Sequence, residues 1–125
     1  MAKGILYLIP TPLGEGSRYA QHFIDTARKV IEPLDGLFVE NKRTARSHLK
    51  QLHLHKKINE ILIVEIGKSK NEKLIEGYLQ SIAEGQRWGI MSEAGCPGIA
   101  DPGADLVRTA HAWHIRTVPL IGPSS

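Results

Sequence analysis

Short apolar runs recur along this chain, and the stretches between them carry apolar residues at helical spacing. That alternation constrains the fold more than any other feature. Gly4 to Ile9 is a continuous apolar run closed by Pro10, Pro12 and Gly14, the pattern of a strand buried on both faces. Tyr19, Ala20, Phe23, Ile24, Ala27, Val30 and Ile31 follow at helical spacing, with Ser17 placed as N-cap and Pro33 as stop. Further strands are predicted at Leu37 to Glu40, Ile61 to Ile66, Trp88 to Ser92 and Arg116 to Ile121. Further helices are predicted from Arg43 to Leu54, across Leu74, Ile75, Tyr78, Leu79 and Ile82 to a stop near Gly85, and from Asp101-Pro102 through Leu106, Val107 and Ala110. The order β-α-β-α-β-α-β-α-β predicts an α/β fold, a five-stranded parallel sheet with helices on both faces and right-handed crossovers. With 125 residues the chain has room for one domain, 1–125, and one core.

Ligands of such sheets bind outside the carboxyl ends of the strands. Three segments are expected there: Pro10 to Gly16, Ser92 to Gly103, and Gly122 to Ser125. The middle one, Ser92-Glu93-Ala94-Gly95-Cys96-Pro97-Gly98-Ile99-Ala100-Asp101-Pro102-Gly103, joins three glycines to two prolines that stiffen the loop. A stiff loop presenting backbone groups suits a neutral planar ligand such as an adenosine. It also suits a strand-to-helix connection that needs Gly and Pro only for its geometry. Gly14-x-Gly16, with Glu40 ending the second strand, is a partial dinucleotide fingerprint. The third glycine is absent, and Pro10 and Pro12 lack the N–H groups that a pyrophosphate cradle needs. The glycine-rich phosphate loop with its lysine is absent as well.

On the second helix Arg43, Arg46 and Lys50 fall on one side and Ala45, Leu49 and Leu52 on another. Lys42, Lys56 and Lys57 add charge nearby. Such a face can hold phosphates or simply be solvated. The net charge of +3 and pI near 9.1 permit a polyanionic partner. Of the six histidines, His53 with His55 and His111 with His114 lack the acidic and cysteine partners of a zinc site, so no metal is expected. Cys96 is the single cysteine, which excludes an internal disulfide and fits a reducing, cytoplasmic setting. No apolar run approaches the roughly 20 residues of a membrane span, and the start reads as strand, not as signal peptide. Gly122-Pro123-Ser124-Ser125 reads as the loop and N-cap of a further helix, so the sequence is expected to be a piece of a longer protein.

Taken in order, the motifs carry a family resemblance. Ile5-Leu6-Tyr7-Leu8-Ile9-Pro10-Thr11-Pro12-Leu13-Gly14 resembles the opening strand and Pro-Thr-Pro-apolar-Gly turn of the ribosomal RNA small-subunit methyltransferase I family. That family belongs to the tetrapyrrole methylase-like, class III methyltransferases. Glu40-Asn41-Lys42-Arg43 resembles the family's Glu-Asp-Thr-Arg. Ser92 to Gly103 resembles its Ser-Asp-Ala-Gly-Thr-Pro…Asp-Pro-Gly loop, and Val118 to Ser125 resembles its Val-Pro-apolar-Pro-Gly-Pro-Ser stretch. The chain departs from the pattern at Glu93, Cys96, Asn41, Lys42 and Ile121.

The resemblance implies the N-terminal domain of a two-domain, often dimeric enzyme that uses S-adenosyl-L-methionine, its cofactor lying between the domains. Leu13, Gly95, Cys96, Pro97, Ile99, Ser124 and Ser125 would line the cofactor site. Small-subunit ribosomal RNA would be the partner, a ribose 2′-hydroxyl the acceptor, and Arg43, Arg46 and Lys50 the phosphate contacts. Glu40 and Glu93 are the candidate carboxylates for the hydroxyl proton, and both also suit plain polar positioning. The alternatives are methylation of a corrin or another small molecule, an NAD-type dinucleotide-binding domain, and a non-catalytic nucleotide-sensing module. The domain by itself is expected to be inactive.

Overall fold

In a computed structural model of the chain, residues 4–11, 21–66, 72–92 and 102–120 are described. Five strands and four α-helices alternate: β1 (Ile5–Pro10), α1 (Gln21–Ile31), β2 (Gly36–Val39), α2 (Lys42–Lys50), β3 (Ile63–Glu65), α3 (Glu72–Ala83), β4 (Arg87–Ser92), α4 (Pro102–Ala112) and β5 (Arg116–Pro119). All strand pairs are parallel, and the sheet order is β3-β2-β4-β1-β5. The chain therefore steps outward from β1 to β3, then doubles back to place β4 beside β1 and β5 at the far edge.

Helices cover both faces, as the alternation predicts. Phe23, Ile24, Ala27 and Ile31 of α1 and Ala45 and Leu49 of α2 pack with Ile9, Leu37, Val39 and Met91 on one face. Leu79 and Ile82 of α3 and Leu106 and Ala110 of α4 pack with Leu6, Phe38, Trp88 and Ile90 on the other. Neighbours Leu37, Phe38 and Val39 divide between the two cores, as the two-residue period of a strand demands. The division of helices follows from handedness. A right-handed crossover travelling one way across the sheet passes over one face, and the return journey must pass over the other.

Trp88 is the centre of the second core. Its ring lies 4.7 Å from those of Phe38 and Tyr78, and its indole N–H donates to Gln86 Oε1 at 2.9 Å. Each such aromatic pair contributes about 0.5–1.5 kcal/mol beyond its buried area.

Most boundaries fall within a residue or two of the sequence expectation, and two differ more. The second helix stops at Lys50, not Leu54. Residues 51–53 continue in tighter turns, with Leu52 N–H donating to Leu49 O at 3.0 Å, and His53 turns the chain with a φ of 50°. Leu52 is nevertheless fully buried, so apolar periodicity outlasts the helix. Before β3, Ile58–Glu60 forms a short 3-10 turn, which shortens the expected strand from Ile61–Ile66 to three residues. The Ser17 and Asp101 caps predicted for α1 and α4 lie outside the described residues.

Candidate functional site

The sheet order sets the ends of β4, β1 and β5 side by side at the carboxyl rim. Pro10 of β1 is level with Ser92 of β4, and Leu8 with Pro119 of β5. Leu120 N–H continues the ladder to Leu8 O at 2.8 Å. Thr11, just past β1, is the one buried polar residue among those described. The helices that follow β1 and β4 in the chain lie on opposite faces of the sheet, α1 in one core and α4 in the other. Adjacent strands whose connections part in this way open a crevice between them, the usual ligand position in open α/β sheets.

The three glycine- and proline-rich segments singled out from sequence follow these three neighbouring strands directly in the chain. Leu13, Gly95, Cys96, Pro97, Ile99, Ser124 and Ser125 lie outside the described residues, as do Glu93 and the Gly14-x-Gly16 pair. Strand order brings their points of departure together, a relation that sequence alone leaves open.

Next along the rim stands β2, whose Val39 pairs with Met91 of β4 on one side and Glu65 of β3 on the other. Glu40 follows Val39 and is half-buried at this edge. Asn41 then caps α2: its side-chain oxygen accepts from Thr44 N–H at 3.1 Å, and its backbone is extended (φ −143°, ψ 119°). An asparagine here accepts one of the N–H groups that every helix start leaves unbonded.

From that start α2 presents the two faces expected of it. Ala45 and Leu49 are buried, and Arg43, Arg46, Ser47 and Lys50 are exposed. The exposed set, spaced three and four residues apart, forms one continuous stripe. Together with Asn41, Lys42 and Glu65 it lines an open cleft of about 650 Å³. A second depression of about 510 Å³ shares Lys42 and Arg46 and runs along Ile58 to Ile63. Among the described residues, Arg43, Arg46 and Lys50 form no ion pair; the ion pair that exists joins Arg108 to Asp105 on α4. The cations of α2 therefore face solvent with their charge uncompensated at contact distance. Lys56 and Lys57 do not line the cleft.

Sequence reasoning missed Glu65. Its carboxylate Oε2 accepts from Lys42 N–H at 2.9 Å, joining the end of β3 to the first turn of α2. The signal was an acid inside an apolar run, but its meaning depends on the β2–β3 register, which no local pattern reveals. Two of the six histidines serve the fold. His53 and His114 carry φ of 50° and 60° where α2 and α4 give out. At His114 the bonds from Ile115 N–H to Ala110 O (2.9 Å) and from His114 N–H to His111 O (3.0 Å) complete a Schellman turn. Among the described residues no three His, Cys, Asp or Glu side chains gather to hold a metal ion, and no helix is long and apolar enough to cross a membrane.

No protein-family model matches the chain. Curated proteins do. Ribosomal RNA small subunit methyltransferase I of Escherichia coli O157:H7 is 36% identical over 122 residues, 98% of this chain and 40% of that protein. The protein of the same name from Buchnera aphidicola subsp. Acyrthosiphon pisum is 33% identical over 95% of this chain and 39% of its own length. That from Xylella fastidiosa is 33% identical over 98% of this chain and 41% of its own. The chain thus spans about two-fifths of the length of these curated relatives. By sequence the chain is homologous, along nearly all of its length, to a part of the ribosomal RNA small subunit methyltransferase I proteins.

Proposed function

We propose that this chain is the N-terminal domain of an S-adenosyl-L-methionine-dependent methyltransferase that acts on a ribose 2′-hydroxyl of small-subunit ribosomal RNA. The relatives carry that RNA in their names. The observation that carries the reading is the adjacency of β4, β1 and β5, because three of the four segments with the family's motifs follow those strands. The fold suits the group: a nucleoside has its usual place in the crevice where neighbouring connections part.

Leu13, Gly95, Cys96, Pro97, Ile99, Ser124 and Ser125 would hold the cofactor. When bound, it supplies a methyl group already activated by the sulfonium. The protein's task is then alignment, which in well-oriented systems is worth about 7–11 kcal/mol of the barrier. Arg43, Arg46 and Lys50 would hold RNA phosphates; their place on α2, which follows β2, supports an acceptor strand lying next to the cofactor crevice. The acceptor hydroxyl loses its proton during transfer. Glu40, half-buried at the end of β2, and Glu93 are the carboxylates offered for it; polar positioning of the acceptor is the other role open to each. The complete enzyme is expected to be a cytoplasmic homodimer, and this domain alone to turn over no substrate.

Calorimetry of the full-length protein with S-adenosyl-L-methionine and with NAD tests the cofactor, and saturable binding of the former alone is expected. Tight binding of NAD alone would end the methyl-transfer reading. Labelled methyl groups are then expected in small-subunit RNA; label in a corrin precursor alone would reassign the acceptor.

A further inference from the structure

We infer that Glu65 is a positioning residue of the basic cleft: its carboxylate fills the anion-accepting start of α2 and so turns an RNA phosphate onto the Arg43, Arg46 and Lys50 flank. The inference rests on the RNA reading above and concerns a residue outside its motifs.

A helix start is a ready-made anion site, because its first N–H groups lack partners and carry about half a positive charge. In α2 two of those N–H groups are taken by side chains of the chain itself. Asn41 Oδ1 takes the Thr44 N–H at 3.1 Å and Glu65 Oε2 takes the Lys42 N–H at 2.9 Å. Glu65 reaches this position through sheet register: it pairs with Val39, and the next residue, Ile66, donates to Val39 O at 2.7 Å. The far end of α2 is fastened too. Arg28 Nε donates to Leu52 O at 3.0 Å, and Glu32 Oε1 accepts from His55 N–H at 3.1 Å. Side chains from β3, from α1 and from Glu32 just after α1 thus hold the helix and its following turn at both ends. The exposed stripe between them, about 10 Å long over the seven steps from Arg43 to Lys50, is left for the ligand, and its cations have no ion-pair partner among the described residues.

A carboxylate in a phosphate cleft has two opposing effects. As a bare charge it repels the ligand, so its removal would tighten binding. As a fastener it fixes the cations, so its removal would loosen binding. Glu65→Gln and Glu65→Ala separate the two, since glutamine keeps an acceptor oxygen and alanine does not. The measurements use the full-length protein: amide exchange at Lys42, and methyl transfer to single-stranded small-subunit RNA. In Glu65→Ala the Lys42 amide is expected to exchange faster and the RNA KM to rise about three- to tenfold, the worth of one hydrogen bond, with kcat and the cofactor KM unchanged. In Glu65→Gln the Lys42 amide stays protected and the RNA KM stays at or below the wild-type value. Equal tightening in both variants would show a repelling charge only and overturn the inference, as would an unmoved Lys42 amide and RNA KM in the alanine variant. A wild-type protein that binds cofactor but no RNA would instead remove the RNA reading and the steering role with it, while the Lys42 amide still reports whether Glu65 fastens the helix.

Discussion

Asn41 replaces the aspartate of the motif it resembles, yet it keeps the mechanical part of that residue's contribution. Its oxygen accepts the Thr44 N–H, and asparagine and aspartate are nearly equivalent as N-caps. Asn41→Ala is therefore expected to cost about 1 kcal/mol of stability, and Asn41→Asp no more than a few tenths; urea denaturation of the full-length protein measures both. Lys42 departs from the motif at no structural cost, because the bond made there uses its backbone N–H. A second residue-scale constraint lies at the opposite end of β2. A Cβ at Gly36 would collide with the Trp88 ring. That ring is buried and held against Phe38 and Tyr78, so it has nowhere to retreat. Gly36→Ala should destabilise the domain by about 1–3 kcal/mol through overpacking, seen as a lower urea midpoint with an unchanged slope.

At the scale of elements, α2 divides into a buried face and an exposed basic face proposed to bind RNA, and the two are expected to fail differently. Leu49→Ala removes a fully buried side chain and is expected to cost about 2–5 kcal/mol of stability. Arg46→Ala leaves stability alone. It should weaken RNA binding and reduce the slope of log affinity against log salt by about 0.7, one phosphate contact on a single strand. Titration at several salt concentrations reads this, and an unchanged slope would return the stripe to plain solvated surface. The two faces were legible from spacing, since the placement of Arg43, Arg46 and Lys50 opposite Ala45 and Leu49 needs only the helical period. The length of the helix was not. Leu52 keeps the apolar rhythm from within a tighter turn, so a buried leucine could not tell the α-helix from the turn after it. Glu65 was hidden for a different reason: its partner is the backbone of Lys42 on another element, and a contact of that kind belongs to register, not to local pattern.

At the scale of the molecule, alternation of strand and helix predicts a parallel sheet with two covered faces, but many strand orders satisfy it. The order β3-β2-β4-β1-β5 is what makes neighbours of the strands that the three glycine- and proline-rich segments follow, with β2, which leads into the basic helix, next to them. On the proposed reading the rim has two halves: one above β4, β1 and β5 for the nucleoside, and one above β2 and β3 for phosphate. The division predicts where each ligand leaves its mark on the full-length protein. S-adenosyl-L-methionine at a hundred times its Kd should stabilise the fold by about 2.7 kcal/mol through mass action and raise Tm. Amide protection should appear at Pro10 to Gly16, Ser92 to Gly103 and Gly122 to Ser125, while Ile58 to Ile63 stays unchanged. Single-stranded RNA should instead protect the start of α2 and the end of β3. Protection by the cofactor confined to the α2 and β3 half would contradict this arrangement, because the family's motifs would then stand on the wrong strands for the ligand they resemble.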